Sequence, residues 1–162
     1  MRRVYAYVAY RLGDGPESED VTSAVFENAV RYRDTYDRSK GEPVTWLLGI
    51  ARRCIAQALV GRPEGAGQPG EGSRSTEFEP DAIERLTLDT ALRELSERDR
   101  ELIGLRYGAD LQARQIAEVV GLTTNAVEVA LHRALARLRA TLEAQEGTGG
   151  PAPAVNPAKK PV

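Results

Sequence analysis

Residues 113–142 read "ARQIAEVVGLTTNAVEVALHRALARLRATL", and the fold turns on how this stretch divides. Ile116, Val119 and Val120 recur at helical spacing, Gly121 suits the left-handed turn that ends a helix, and Thr123 or Thr124 offers a hydroxyl to cap the next one. At 100° per residue, Val127, Leu131, Leu135, Leu138 and Leu142 fall within a band about 80° wide, a core-facing stripe. Asn125, Ala126, Val129, His132, Arg133, Ala136 and Ala140 point the other way, with Arg137 and Arg139 on the flanks. A short helix, a glycine turn and a long helix describe a DNA-reading helix-turn-helix or a plain helical hairpin, and spacing alone leaves both open. Small residues at the start of the long helix would let it enter a major groove, and the cap threonines with the amides near Asn125 would meet a phosphate.

Upstream, "DAIERLTLDTALREL" predicts a helix with Ile83, Leu86, Ala91, Leu92 and Leu95 inward. "SERD" then reads as a capping box, with Ser96 accepting from the Asp99 amide while the Asp99 carboxylate reaches back. The helix it opens carries Leu102, Ile103 and Leu105 and ends at Gly108. These four helices make one compact unit, expected over residues 81–146.

The first 62 residues predict three helices. Val4, Val8 and Leu12 repeat before Gly13; Val21, Val25, Ala29, Tyr32 and Tyr36 follow the acidic "ESED", which suits the positive end of a helix dipole; Leu47, Ile50, Ala51, Cys54 and Ala58 follow Pro43, a residue tolerated in a first turn. Neither half sustains the two-residue alternation of a half-buried strand. Residues 63–80, rich in Gly, Pro, Ser and Glu, read as a flexible linker, and residues 147–162 as a disordered tail. The expectation is an all-α chain of two small helical domains.

The net charge of −2 hides its distribution. Residues 81–146 hold nine basic and twelve acidic side chains, yet from Leu111 to Leu142 the balance reverses, with Arg114, Arg133, Arg137 and Arg139 against Glu118 and Glu128. The acid excess therefore sits in the helices before residue 111, and the basic bias beyond it is mild for a polyanion binder. One cysteine, Cys54, at a buried-looking position, and one histidine, His132, leave too few soft ligands for a zinc site, so no metal or cofactor is expected. The chain offers no apolar run of bilayer length and no signal-peptide block, which places it in the cytoplasm. It has no Gly-rich phosphate loop and no nucleophile–base constellation, so neither catalysis nor a small-molecule substrate is expected.

From about Asp89 to Leu142 the chain resembles region four of bacterial extracytoplasmic-function sigma factors, in its "L-S-x-R-x-R-E-L" opening, its "I-A-x-x-x-G" helix and its "L-H-R-A-L-x-R-L-R" ending. Residues 2–59 resemble region two of that family, most tellingly in "Y-D-x-x-x-G" and "T-W-L-L-x-I-A-R". Two such domains in this order are far more specific than either alone, and they favour the helix-turn-helix over the hairpin. The resemblance implies a sigma factor that binds core RNA polymerase and promoter DNA and catalyses nothing, with an anti-sigma protein as a further partner. Region two would grip the polymerase clamp and help melt the minus-ten element; region four would read the minus-thirty-five duplex.

Carried over by residue, the loop of Tyr36, Asp37, Arg38, Ser39, Lys40 and Gly41 matches the family loop that captures a flipped base, with an ordinary charged loop as the alternative. Trp46 fits the core or a stacking surface, and Arg52 and Arg53 suit single-strand phosphates. Region four would use Arg114, Gln115, Thr123, Thr124, Asn125, Glu128, Val129, His132, Arg133 and Arg137 on DNA, with Glu128 accepting from a cytosine amine. Asp20, Val21 and Phe26 would face the polymerase.

Departures accompany the matches. Glu128 and Ala130 stand where the family often has Lys and Arg, Ser23 and Ala24 where many relatives have a Gln-Glu pair, and Gln57, Val60 and Gly61 where relatives carry an acid and several cations. Met1 falls within the family's first helix, which implies a shortened one. These departures keep a second reading open, a sigma-like regulator or polymerase-binding decoy without promoter opening.

Overall fold

The computed structural model describes residues 1–60 and 82–147, with side chains from Thr87 to Gln145 in the second stretch. The linker expected at 63–80, Gly61, the side chains of Ile83 and Leu86, and the tail beyond Gly147 lie outside what is described. All regular structure among the described residues is helical: α1 (Arg2–Leu12), α2 (Pro16–Arg31), α3 (Pro43–Val60), α4 (Ala82–Glu94), α5 (Glu97–Ile103), α6 (Ala113–Val120) and α7 (Thr124–Gly147). A 3-10 turn, Arg33–Thr35, follows α2, and a π-helical turn, Gly104–Gly108, follows α5.

Local chemistry sets the ends of these helices. α1 stops where Gly13 takes φ 94° and its amide closes on the Ala9 carbonyl at 2.9 Å. Pro16 opens α2 with Glu17 and Glu19 in the first turn, at the positive end of the helix dipole. The Asp99 amide donates to the Ser96 hydroxyl at 3.1 Å, as the capping reading expects. The Asp99 carboxylate does not reach back, however; it accepts from Arg137 of α7 at 2.6 Å instead. A charged partner across the fold outcompetes the neutral amide of its own turn. Beyond Ile103 the ladder widens, with the Ala109 amide on the Gly104 carbonyl at 3.0 Å, so the helix expected to run to Gly108 ends in a π turn.

Val4, Val8, Leu12, Val25, Ala29, Ile50, Ala51 and Cys54 are buried, which is the core that the first three helical stripes predict. Tyr32 lies past the end of α2 and is half exposed. α3 departs from a one-sided stripe. Leu48 and Ile55 are also fully buried, on a second face with Arg52 and Leu59 that is turned toward the carboxy-terminal helices. A helix apolar on both sides needs cover on both sides.

That cover comes from the other half of the chain. Leu102, Leu105, Leu111, Ile116, Val127 and Leu131 join the same continuous apolar cluster as Val4, Tyr7 and Leu48, so the main core runs across both halves of the chain, and a smaller cluster of Leu95, Ile103 and Ala134 lies beside it. The physical reason is size, because a unit of about 60 residues buries only about 60% of its surface and gains from a neighbour. At the seam, α1 lies against the π turn. A Cβ added to Gly104 would come within 2.8 Å of Tyr10 Cδ1 and 3.4 Å of Tyr7 Cδ2, so only a residue without a side chain lets the ring pack there.

Polar contacts cross the seam around this glycine. Arg3 Nε donates to the Ala109 carbonyl at 2.7 Å, and its Nη2 donates to the Asp110 carbonyl. Both carbonyls lie where the helical ladder stops, and Asp110 takes a left-handed φ of 52° there. Arg11 pairs with Glu97, and Arg52 Nε meets Glu101 Oε1 at 2.5 Å.

Replacing Gly104 with alanine should therefore destabilise the chain by about 1–3 kcal/mol through overpacking. Adding Tyr10→Ala should recover part of that loss, because both changes act on one contact. Urea unfolding of the two single variants and the double variant measures the coupling; strict additivity would contradict the contact.

Candidate nucleic-acid interface

The α6–α7 corner is built from three local devices. The Gln112 amide donates to Gln115 Oε1 at 3.0 Å and closes the start of α6. Gly121 takes φ 71°, and its amide bonds to the Ala117 carbonyl at 2.9 Å, which turns the chain sharply. Thr123 is then the residue that caps α7, its hydroxyl accepting from the Ala126 amide at 3.2 Å. Thr124 and Asn125 thus stand exposed at the positive end of the 24-residue helix α7.

The two faces of α7 separate by chemistry. Val127, Leu131 and Ala134 are buried, and Leu135, Leu138 and Leu142 are half buried. Asn125, Val129, His132, Arg133 and Ala136 are exposed together on the outer face, Val129 to 42%, and Glu128 is exposed at its edge. An apolar valine among polar groups on that face is the shape expected of a helix that meets base edges and thymine methyls.

Arg137 lies apart from this group. Its guanidinium is 59% exposed, yet Nη1 is committed to Asp99, a carboxylate only 8% exposed at the first turn of α5. Burial of that carboxylate requires a cation, which α7 supplies. Arg114 is exposed and loosely paired with Glu118, one turn on, at 3.7 Å. Gln115 donates from Nε2 to Glu42 at 3.0 Å, across the seam.

In the amino-terminal half, the Tyr36 and Trp46 rings pack 5.5 Å apart at 51°. Trp46 is half buried against the core, and Tyr36 donates its hydroxyl to the Gly41 carbonyl at 3.3 Å. Asp37 Oδ1 accepts from both the hydroxyl and the amide of Ser39, at 2.7 and 2.9 Å, which is a side-chain-closed turn. The Ser39 hydroxyl is the main reason that the Asp37 carboxyl is held below its ordinary range; Lys40, at 3.6 Å, adds to it. Arg38, Lys40 and Arg53 are exposed. Arg52 is not free in the same way, because its hydrogen bond to Glu101 raises it further above its ordinary pKa and occupies Nε. On α2, Asp20 is exposed, and Val21 and Phe26 are half buried against the core.

The structure thus gathers Asn125, Glu128, Val129, His132 and Arg133 on one face and Tyr36, Asp37, Arg38, Lys40 and Trp46 around one loop. Gln115 meets the amino-terminal half through Glu42, the residue that follows this loop, and Arg52 meets α5. The groups that sequence reasoning missed are Arg3, Arg11, Glu42, Glu97 and Glu101, which cross the seam. Their one signal was the two-sided apolar pattern of α3.

Comparison with known proteins assigns each half. The family described as "Sigma-70 region 2" matches residues 1–62, and "Sigma-70, region 4" matches residues 85–138. The extracytoplasmic-function RNA polymerase sigma factor SigK of Mycobacterium ulcerans is 28% identical over 153 residues, 88% of this chain and 81% of that protein. SigD of Mycobacterium tuberculosis is 32% identical over 133 residues, and BldN of Streptomyces coelicolor 26% over 145. The alignments cover 75% and 83% of this chain but only 59% and 54% of those two relatives. Among solved structures, CnrH in complex with the cytosolic domain of CnrY aligns at a TM-score of 0.64 with 25% identity, over 87% of this chain and 81% of that one. The sigma factor RpoE bound to the anti-sigma factor NepR from Bartonella quintana shares the fold at a TM-score of 0.67 and 18% identity, over 86% and 89%.

Two arginines of α7 should respond oppositely to truncation. Arg137→Ala leaves a buried carboxylate unpaired and should cost about 1–3 kcal/mol in urea unfolding. Arg133→Ala, on the outer face, should stay within about 0.5 kcal/mol of the parent. Equal losses would contradict the separation of the two faces.

Proposed function

The chain belongs to the extracytoplasmic-function group of the sigma-70 family of RNA polymerase sigma factors, and on that premise we propose that it directs core RNA polymerase to a set of promoters and initiates transcription there. The observation that carries this reading is the outer face of α7, where Asn125, Glu128, Val129, His132 and Arg133 are exposed on a capped helix after a tight turn. In a major groove, Arg133 and His132 meet phosphates or guanine edges, Glu128 accepts from a cytosine amine, and Val129 packs on a thymine methyl. Thr123, Thr124 and Asn125 present a helix start to the backbone, and Arg114 approaches it from α6. Gln115 and Arg137 reach DNA only by exchanging their present partners.

Residues 1–62 act as the region two module, residues 81–146 as the region four module, and residues 63–80 connect them, with 147–162 as an appendage. The loop at Tyr36–Gly41 captures a base from the melted strand: Asp37 holds the loop in shape, Arg38 and Lys40 meet phosphates, and Tyr36 offers a ring face backed by Trp46. Arg53, and Arg52 once released from Glu101, guide the strand along α3. Asp20, Val21 and Phe26 on α2 face the polymerase. The partners are core polymerase and promoter DNA; two similar solved structures hold a bound protein partner, one of them an anti-sigma factor, which supports an anti-sigma partner here. The place of action is the cytoplasm, where polymerase works.

Reconstitution with core polymerase and a genomic promoter library tests this function, and transcripts from a small promoter set are expected. Binding to polymerase and duplex without any transcript would favour the decoy, a reading kept alive by Ser23 and Ala24 on the polymerase-facing helix. Arg133→Ala should flatten the salt slope of duplex binding by about one unit, or relax preference at one base pair. Asp37→Ala with Lys40→Ala should impair promoter opening more than duplex binding; equal losses in both assays would sink the base-capture assignment.

A further inference from the structure

Glu128 differs from the carboxylates around it in having no partner. On α5, Glu97 pairs with Arg11 and Arg100, Asp99 with Arg137, and Glu101 with Arg52; on α6, Glu118 lies 3.7 Å from Arg114. Glu128, in the second turn of α7, is exposed, and no side-chain hydrogen bond or ion pair among the described residues holds it. At about 100° per residue it sits about 40° from His132 and about 60° from Asn125, at the rim of the outer face. Thr124, one turn before it, is exposed as well. A free carboxylate therefore edges the part of a recognition helix that meets base edges.

Seating that carboxylate in a major groove strips part of its water and brings it near phosphates, so it needs a donor there. Guanine presents only acceptors, N7 and O6, and thymine only O4 beside its methyl group. Adenine offers the N6 amine, but the N7 lone pair next to it repels a carboxylate. Cytosine offers the N4 amine with only a C–H beside it. It is the one base whose groove edge takes a carboxylate without opposing it.

The cytosine amine carries two hydrogens, and base pairing spends one of them on guanine O6. Only the other points into the groove. A methyl group on N4 of a paired cytosine has to take that groove-facing place, because the pairing hydrogen is not free to leave. It removes the one donor open to Glu128 and sets a methyl group against the carboxylate. A methyl group on C5 leaves the donor where it was.

We propose that Glu128 makes duplex recognition by α7 depend on a cytosine whose N4 amine is unmethylated, so that N4-methylation of the DNA element closes it to this chain. The inference rests on the reading of α7 as a duplex-reading helix, and it extends that reading from the identity of a base to its chemical state. Arg133 and His132 attract a duplex of either state. Glu128 supplies the refusal.

Selection from a random duplex library tests this, run with the full chain alone and with core polymerase, for the unaltered protein, Glu128→Ala and Glu128→Gln in parallel. A cytosine at one position should be enriched by the unaltered protein, lost with Glu128→Ala, and replaced by adenine with Glu128→Gln, whose amide pairs with N6 and N7 together. On the selected duplex, N4-methylcytosine at that one position should weaken binding of the unaltered protein at least about tenfold by fluorescence anisotropy, and 5-methylcytosine there should leave it within about threefold. Glu128→Ala should bind the N4-methylated and plain duplexes within about twofold of each other.

A motif that is the same for the unaltered protein and Glu128→Ala, or N4-methylation that changes binding of the unaltered protein by less than about twofold, overturns the inference and leaves the duplex-reading helix intact. Equal losses from N4- and C5-methylation also overturn it, because bulk in the groove then accounts for the effect. If the unaltered protein enriches no duplex in either setting, the inference falls together with the reading of α7. Where the cytosine preference and its methyl sensitivity are found but no transcript forms, the inference stands and the failure belongs to the sigma-factor function.

Discussion

Burial of α3 on both of its faces is the constraint from which the rest of the arrangement follows. One face, Ile50, Ala51 and Cys54, and the other, Leu48, Ile55 and Leu59, both lie in the apolar cluster that the amino-terminal and carboxy-terminal helices share. Water would cover that second face at about 25 cal/mol for each Å2 of apolar surface left exposed. The carboxy-terminal helices relieve this cost, and they are brought close by two residues without side chains, Gly104 under the Tyr10 and Tyr7 rings and Gly108 against the backbone of α1. The ion pairs and the arginine caps at Ala109 and Asp110 follow from that approach.

The helices themselves were readable because their signals are local. Proline at position 43, Ser96 before an acidic turn, Gly121 at a left-handed corner and Thr123 as a cap each act within four residues, and the structure agrees with each. Where sequence reasoning stopped short, the deciding partner was distant. Asp99 was expected to fold back on its own turn and instead neutralises Arg137, 38 residues away. Arg52 was assigned to phosphates on its exposure pattern, and nothing within its helix announces Glu101. The α3 pattern did hold the information, since a helix with two apolar faces cannot leave the second one in water, but it does not say which surface would cover it.

The candidate interface divides along the same line. Grouping of Asn125, Val129, His132 and Arg133 on one face follows from helical periodicity alone, so sequence sufficed. The loop at Tyr36–Gly41 needed coordinates, because its shape depends on Ser39 closing onto Asp37 and on Tyr36 reaching Gly41, bonds that composition cannot rank. Whether these two surfaces lie near one another or far apart is a property of the seam, and no spacing in the chain encodes it.

The seam also mixes two kinds of attraction that solutes push in opposite directions. Excluded cosolutes such as sucrose or trimethylamine oxide strengthen apolar burial around Tyr7 and Leu105, whereas simple electrolytes weaken the arginine–glutamate contacts at its border. A cell that loses water raises both kinds of solute at once, so the balance between them, rather than either concentration, governs how tightly such a joint is held.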